Sequence, residues 1–431
     1  MHYPERLEIT PLARPPHATV RVPGSKSITN RALVLAALFG RGQCRVAGAL
    51  HSEDTEVMVD SLRKLGFRVT ADWTAGVVEV ARERGAARIP VKEADLFVAN
   101  SGTSMRFLTA LVAAGQGRYR LDGIARMRER PIDDLLTGLQ QLGVHTRSEL
   151  GNGCPPVIVE ANGLRGGSVV VKGDVSSQFL SALLLAAPAA EGDLEITVEG
   201  DLVSKPYIDM TVGMLHAWGL KCVAHAHDLY LIPGGQQGDL DYFAVEPDAS
   251  AASYFLAAAA ICQGRVVVPG LDVYRSWQGD VKFASLLAEM GCEVPKDKDH
   301  LLVRGQPLHG IDVDMNAISD TVMTLAAVAC FAEGPTTIRN VAHIRHKETD
   351  RLTALANELR KVGADVVEFR DGLTITPQPL HGAELDTYND HRMAMSLALI
   401  GLKVPGIVIK NPGCVAKTYP NFWQDLERLR S

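Results

Sequence analysis

The sequence predicts an α/β fold made of six βαβαββ repeats, shared three and three between two lobes. Three observations carry this expectation. A strand, a small polar turn and an apolar helix recur with anchors at Ser27, Thr103, Ser177, Ser250, Asp320 and His391, at steps of 76, 74, 73, 70 and 71 residues. A helix ending Leu-x-x-x-Gly before a hydrophobic strand recurs at Gly66, Gly143, Gly219, Gly291 and Gly363, at steps of 77, 76, 72 and 72. Glycine suits the left-handed position that stops a helix, so the second series marks a structural event independent of the first. A length of 431 residues suits two or three domains, and six units of one period divide evenly into two.

In chain order, the alternating residues 18–22 read as a strand running into the turn Pro23-Gly24-Ser25-Lys26-Ser27, with Asn30-Arg31 and an apolar helix over 32–38 behind it. A helix begun by small residues leaves backbone N–H groups unpaired, and the dipole favours an anion there by about 0.3–1 kcal/mol. Lys26 and Arg31 add full charges, so the turn reads as a seat for phosphate or carboxylate. The corner returns at Asn100-Ser101-Gly102-Thr103-Ser104-Met105-Arg106, at Ser176-Ser177-Gln178 and at Asp248-Ala249-Ser250. It returns again at Ser319-Asp320 and at Asn389-Asp390-His391-Arg392. For single residues a helix cap is the ordinary role of Ser27, Thr103, Ser176, Asp320 and Asp390. The second unit displays the rest of the plan: a strand at 118–121, a loop at 122–131, a helix at 132–142 and a hairpin strand at 157–159.

Charged loops follow the second strand of each unit. They include Arg126-Met127-Arg128-Glu129-Arg130-Pro131, Ser204-Lys205-Pro206-Tyr207, Arg345-His346-Lys347-Glu348-Thr349-Asp350-Arg351 and Ala416-Lys417-Thr418-Tyr419. A helix beginning near Lys347 would put Glu348 and Arg351 on one face. A cation in its first turn opposes the dipole, which argues for function rather than stability at Lys347. Lys205, Arg126 and Arg128 read as surface charges. The last unit ends in a helix over 421–430 without a hairpin, and the strands at 7–10 and 19–22 are expected to supply it. That assigns residues 22–245 to an N-terminal lobe and residues 1–21 with 246–431 to a C-terminal lobe, and a cleft between lobes is the expected ligand site.

Composition narrows the function. Net charge is −6, with 46% hydrophobic and 22% charged residues, so a broad basic face for nucleic acid is not expected. Any anion must be held by local cations. Seven scattered cysteines form no C-x-x-C pair, which predicts neither a disulfide framework nor a metal site. Residues 1–16 carry no apolar signal segment, and the Ala-rich run 251–262 is too short to span a bilayer. A cytoplasmic, monomeric protein without cofactor, membrane or nucleic-acid partner is the expectation.

The ordered motifs Pro23-Gly24-Ser25-Lys26-Ser27, Asn100-x-Gly102-Thr103-x-Met105-Arg106, Arg126-Met127-x-Glu129-Arg130-Pro131 and Ser176-Ser177-Gln178-Phe179 are joined by three more. These are Lys347-Glu348-Thr349-Asp350-Arg351, Asn389-Asp390-His391-Arg392-Met393-Ala394-Met395 and Ala416-Lys417-Thr418. Over nearly its whole length the chain resembles the 5-enolpyruvylshikimate-3-phosphate synthase family of the bacterial type. The resemblance implies the two-lobed enolpyruvyl-transferase fold. It also implies transfer of the enolpyruvyl group of phosphoenolpyruvate to the 5-hydroxyl of shikimate 3-phosphate, with release of phosphate, in aromatic amino acid biosynthesis.

It further implies site roles. Lys26, Ser27, Arg31, Ser176, Ser177, Gln178, Ser204, Tyr207, Asp320 and Lys347 would hold shikimate 3-phosphate. Lys26, Gly102, Arg130, Gln178, Arg351, Arg392 and Lys417 would hold phosphoenolpyruvate. Asp320 would be the base for the hydroxyl, Glu348 the acid for the methylene carbon, and Lys26 is counted with them as catalytic. These residue types suit the chemistry, since guanidinium forks match carboxylate and phosphate oxygens. Ser101 and Ser104 stand where the family has alanines, and Phe107 where it has proline, beside the expected phosphoenolpyruvate phosphate; the family is a glyphosate target, and these changes bear on that response. His343 stands at a common asparagine and is left out of the site. Two other readings are carried: UDP-N-acetylglucosamine enolpyruvyl transferase, whose reactive cysteine has no counterpart in 122–131, and a non-catalytic anion-binding protein on the same fold.

Overall fold

The computed structural model describes residues 3–83 and 87–430. Met1, His2 and Ser431, inside the expected C-terminal lobe, and residues 84–86, inside the N-terminal one, lie outside the described residues. The chain divides into two compact units, Gly24–Val245 and Met1–Pro23 with Glu246–Ser431.

In the unit Gly24–Val245 each of three sheets has four strands in one order. The second sheet shows the pattern. Glu93–Phe97 runs parallel to Gln116–Asp122, which pairs antiparallel with Val157–Asn162, itself antiparallel to His145–Ser148. The third sheet repeats this with Gly167–Lys172, Leu194–Glu199, Leu229–Ile232 and Val223–His225. A parallel pair needs a crossover, and in the second and third sheets the first helix of the repeat provides it. Gly102–Ala113 and Ser177–Ala186 are buried almost all round, as is Lys26–Phe39. Three buried helices therefore form the middle of the unit, with the sheets and the amphipathic second helices, such as Glu53–Lys64 and Asp133–Gln141, outside.

The other unit follows the plan less fully. Its middle is formed by Ala249–Cys262, Val322–Ala329 and His391–Gly401, which share one apolar core. The sheet containing Thr336–Arg339 has all four strands, whereas the other two have three. The five glycines of the stop series all take positive φ, from 73° at Gly219 to 110° at Gly291. A side chain there would be strained, which is why the period is written in glycine.

The termini differ from expectation in one respect. Arg6–Ile9 does complete the sixth sheet, antiparallel to Ile407–Lys410. The second N-terminal strand is His17–Thr19, and it does not form a hairpin with the first. It pairs parallel with Arg265–Pro269, and Val20 N–H extends that ladder to the Val267 carbonyl at 2.9 Å. The corresponding place in the first sheet is taken by Tyr242–Ala244, parallel to Gln43–Ala47. The leading strands of the first and fourth repeats have thus exchanged sheets. Alternation identifies a strand and its buried face but is silent on its partner.

Candidate active site

The six polar corners fall at the N-terminal ends of the buried helices. In the unit Gly24–Val245, Ser25 caps the first helix by accepting the Ile28 N–H, so Ser27 lies inside it rather than at its cap. Ser101, not Thr103, caps Gly102–Ala113. Both shifts put the cap two residues upstream because Lys26 and Gly102 already have helical backbone. Ser176 caps Ser177–Ala186 as expected.

Lys26 Nζ lies 3.2 Å from Asp54 Oδ2, an acid that the sequence leaves unmarked because it sits on another helix. The Ser101 hydroxyl donates to Ser104 Oγ at 2.9 Å, and the Ser104 hydroxyl to the Asp54 carbonyl at 3.3 Å. The two serines that replace alanines therefore tie this corner to the residue that pairs with Lys26. Arg31 is buried and donates only to neutral oxygens: Thr211 Oγ1 at 2.8 Å, Ser181 Oγ at 3.1 Å and the carbonyls of Ser27 and Tyr207 at 3.0 and 3.2 Å. Its guanidinium lies 5.0 Å from the Phe107 ring centre and 5.9 Å from that of Tyr207. Burial pulls this guanidinium down to about 10, so it stays a cation at neutral pH, with no acid among the described residues to balance it. Four of the five donors of an arginine are accounted for.

Arg130 is also buried, donating through Nη1 to the carbonyl and side chain of Asn100 at 3.0 and 3.3 Å, with no ion pair among the described residues. A Cβ at Gly102 would sit 2.4 Å from Arg130 Nη2 and 2.8 Å from Arg106 Nη1, so two guanidinium groups lie against the bare backbone. Arg106 itself donates to the Pro131 and Gly102 carbonyls. Gln178 Nε2 reaches Thr103 Oγ1 at 3.4 Å, joining the second and third corners. Ser204 is buried with φ of 53°, and its carbonyl accepts the Tyr207 N–H as the helix Pro206–Ala217 begins. Lys205 is exposed, and Arg126 and Arg128 pair with Glu129 and Asp122 at the surface.

In the other unit the charges form one network. Arg351 is fully buried and donates to three acids: Asp390 through Nε at 2.8 Å, Glu348 through Nη2 at 2.8 Å and Asp320 through Nη1 at 3.3 Å. Burial alone would lower its proton affinity, but Asp390, Glu348 and Asp320 together hold it above the ordinary arginine value. Arg392 donates to Asp320 Oδ2 at 2.7 Å, Lys347 Nζ lies 3.7 Å from Asp320 Oδ1, and Lys417 Nζ lies 3.9 Å from Glu348 Oε1. The helix expected near Lys347 begins at Arg351 instead. Asp350 is the better cap, accepting the Thr353 N–H at 3.2 Å, and Lys347 keeps a non-helical backbone that lets it reach Asp320. Asp320 lies within a 3-10 turn, Asn316–Thr321, and caps no helix, its oxygens being taken by the cations. Asp390 caps His391–Gly401 and binds Arg351 as well, a second duty invisible in sequence. His343 donates to or accepts from Ser319 Oγ at 2.9 Å; burial, then Lys347, pulls it down to about 3, so the ring is neutral.

Of the expected residues, Lys26, Ser27, Arg31, Gly102, Arg130, Ser176, Ser177, Gln178, Ser204 and Tyr207 thus belong to one unit. Asp320, Lys347, Glu348, Arg351, Arg392 and Lys417 belong to the other. The first set holds two buried guanidinium groups, Arg31 and Arg130, that lack acids among the described residues; the second sets two carboxylates on the two terminal nitrogens of one arginine. Among the described residues no cluster of metal-ligating side chains occurs, and no helix is long and apolar enough to cross a membrane.

Fold and charge together define a repeat-built α/β protein whose buried cations suit anions. A family model described as EPSP synthase (3-phosphoshikimate 1-carboxyvinyltransferase) matches residues 13–426. A 3-phosphoshikimate 1-carboxyvinyltransferase of Nostoc punctiforme is 49% identical over 420 residues, covering 97% of this chain and 98% of that protein. One of Shewanella loihica is 44% identical over 427 residues, covering 99% of each. The solved EPSP synthase of Acinetobacter baumannii superposes with a TM-score of 0.80 at 25% identity, covering 99% of this chain and 98% of that one. The chain belongs to the EPSP synthase family.

Proposed function

We propose that the protein transfers the 1-carboxyvinyl group of phosphoenolpyruvate to the 5-hydroxyl of shikimate 3-phosphate and releases phosphate. One observation carries the assignment of roles: Asp320 and Glu348 are bound by the two terminal nitrogens of Arg351, so a base and an acid are held at fixed separation. In the addition step the 5-hydroxyl oxygen bonds to C2 of phosphoenolpyruvate, Asp320 takes the hydroxyl proton and Glu348 delivers a proton to the methylene carbon. In the elimination step the methyl carbon returns a proton to Glu348, the double bond re-forms, and the C2–O bond breaks with its electron pair leaving on phosphate, which takes up the proton from Asp320. Neither acid is consumed. Acid–base help of this kind supplies roughly 10²–10⁴-fold, and the cations balance charge that develops on the leaving phosphate.

Substrate assignment rests on the same local chemistry. Arg31, whose charge has no acid to balance it among the described residues, suits the sugar-acid phosphate together with Lys26, Ser27, Ser176, Ser177, Gln178, Ser204, Tyr207, Asp320 and Lys347. Arg130, packed on Gly102, suits phosphoenolpyruvate together with Lys26, Gln178, Arg351, Arg392 and Lys417. Release of phosphate from the two substrates together, and from neither alone, tests the whole reading; no release from intact protein rejects it. The same assay with UDP-N-acetylglucosamine as acceptor excludes the other enolpyruvyl transferase. A monomer working in the cytoplasm is part of the proposal, and sedimentation of the purified chain tests the first of these.

Two substitutions probe the binding half. Arg31→Met is expected to raise KM for shikimate 3-phosphate by about 10–150-fold, the worth of one hydrogen bond to a charged group. Folding should survive, because the change removes a buried charge that no acid among the described residues balances. Gly102→Ala drives a Cβ into the space of the Arg130 guanidinium. It is expected to raise KM for phosphoenolpyruvate on the order of tenfold, as small displacements of positioning groups do, with little change for the other substrate. Steady-state kinetics with each substrate varied in turn reads both results, and unchanged KM values would reject the assignments.

A further inference from the structure

Arg392 does not serve Asp320 alone. Its Nη2 donates at 2.7 Å to Asp320 Oδ2 and at 3.4 Å to the Ser250 hydroxyl oxygen, and Nη1 lies 3.4 Å from the Tyr254 hydroxyl. A hydroxyl carries one proton, and that of Ser250 is given to Asp280 Oδ2. With Asp280 ionised the direction of the chain is therefore set: Arg392 donates to Ser250, and Ser250 donates to Asp280. Asp280 sits in the single turn Gly279–Lys282, buried beside the start of the helix Ala249–Cys262. It is a buried carboxyl group for which the proposed proton transfers have no use.

We propose that Asp280 is a positioning residue for Asp320: through the Ser250 hydroxyl it sets how strongly Arg392 neutralises the carboxylate that takes the substrate proton. This rests on the reading of Asp320 as the base. With Asp280 ionised, Ser250 is held with its lone pairs toward Arg392, and a second negative charge lies behind the guanidinium. Part of the positive charge of Arg392 is then claimed by Asp280, and Asp320 becomes a stronger base. With Asp280 protonated, that claim lapses, Arg392 acts on Asp320 alone, and the base is weaker. The charged groups that bear on Asp280 are Asp320 from the 3-10 turn Asn316–Thr321, Asp248 at the start of Ala249–Cys262 and Arg392; Lys282 shares its own turn. Burial first, then Asp320, pushes Asp280 up to about 7, while the Ser250 hydrogen bond and Arg392 pull it down. A switch between the two states near neutral pH is the expected consequence.

The test compares the pH profiles of kcat for wild-type, Asp280→Asn and Ser250→Ala proteins, with KM measured for both substrates. Wild-type kcat is expected to rise through about pH 7. Asp280→Asn, which keeps the shape of the side chain, should abolish that limb and lower kcat at pH 8 about three- to tenfold through the weaker base, with both KM values within about twofold of wild type. Ser250→Ala keeps the acid but removes a bond that stabilises its ionised form, so the limb should move to higher pH. A merely structural role would lower activity evenly across pH. If either variant keeps the wild-type limb, the inference fails while the proposed reaction stands; if wild-type protein releases no phosphate, it is the reaction that fails.

Discussion

Asp320→Asn is expected to lower kcat by about 10²–10⁴-fold while leaving KM for both substrates unchanged or lower. Asparagine has nearly the shape of aspartate, and its single amide oxygen can still accept from Arg351 or Arg392, so the 3-10 turn around it should persist. It cannot take a proton from a hydroxyl. It also removes a negative charge from among Lys347, Arg351 and Arg392, which lie 2.7–3.7 Å from the two carboxylate oxygens. Three cations with one acid fewer attract anionic substrates at least as well as before. A fall in kcat with retained binding is therefore the signature of a lost base. A rise in KM with normal kcat would instead leave Asp320 a binding role alone, and normal turnover would remove it from the proton transfer.

Arg351→Met is expected to cost about 3–5 kcal/mol of stability, because it leaves buried acids without their counter-charge. Three carboxylates share this guanidinium, and Asp390 is entirely shielded from solvent. Removing the partner strands them, which is far worse than never having buried the network. Urea unfolding at neutral pH measures the effect, and a loss below about 1 kcal/mol would show that the acids find other partners. Turnover should fall too, since the same side chain sets the separation of Asp320 and Glu348. The double substitution Arg351→Met with Asp390→Asn should recover part of the stability but none of the turnover. That outcome separates the structural demand of Asp390 from the catalytic service to the other two acids.

Much of the proposed site is legible in the residues themselves. Lys26, Arg130, Lys347, Glu348, Arg351, Arg392 and Lys417 all lie in short motifs whose residue types suit anions and proton transfer, and each motif stands at a polar corner or a charged loop of its repeat. Their partners are another matter. Nothing near Asp54 marks it as the acid on Lys26, and nothing near Asp280 links it to Arg392, 112 positions on. Asp390 reads as a cap, which it is, and its bonds to Arg351 come from a helix in a different repeat. The caps expected at Ser27 and Thr103 fall instead at Ser25 and Ser101, where several small polar residues stand in a row and any of them could serve.

The repeat, the βαβαββ order within it and the polar corners are written in the chain, because each depends on interactions within a few residues: alternation along a strand, an apolar face at helical spacing, a glycine that stops a turn. Folding in three dimensions was needed to settle that His17–Thr19 and Tyr242–Ala244 exchange sheets, that Arg351 gathers three acids, and that Arg392 is shared between Asp320 and the Ser250–Asp280 pair. Those outcomes depend on which surfaces meet when helices from different repeats pack. A strand edge or a charged side chain carries no mark of its distant partner, and the partner is chosen by burial, which leaves each charge in the core a cost until an opposite one arrives.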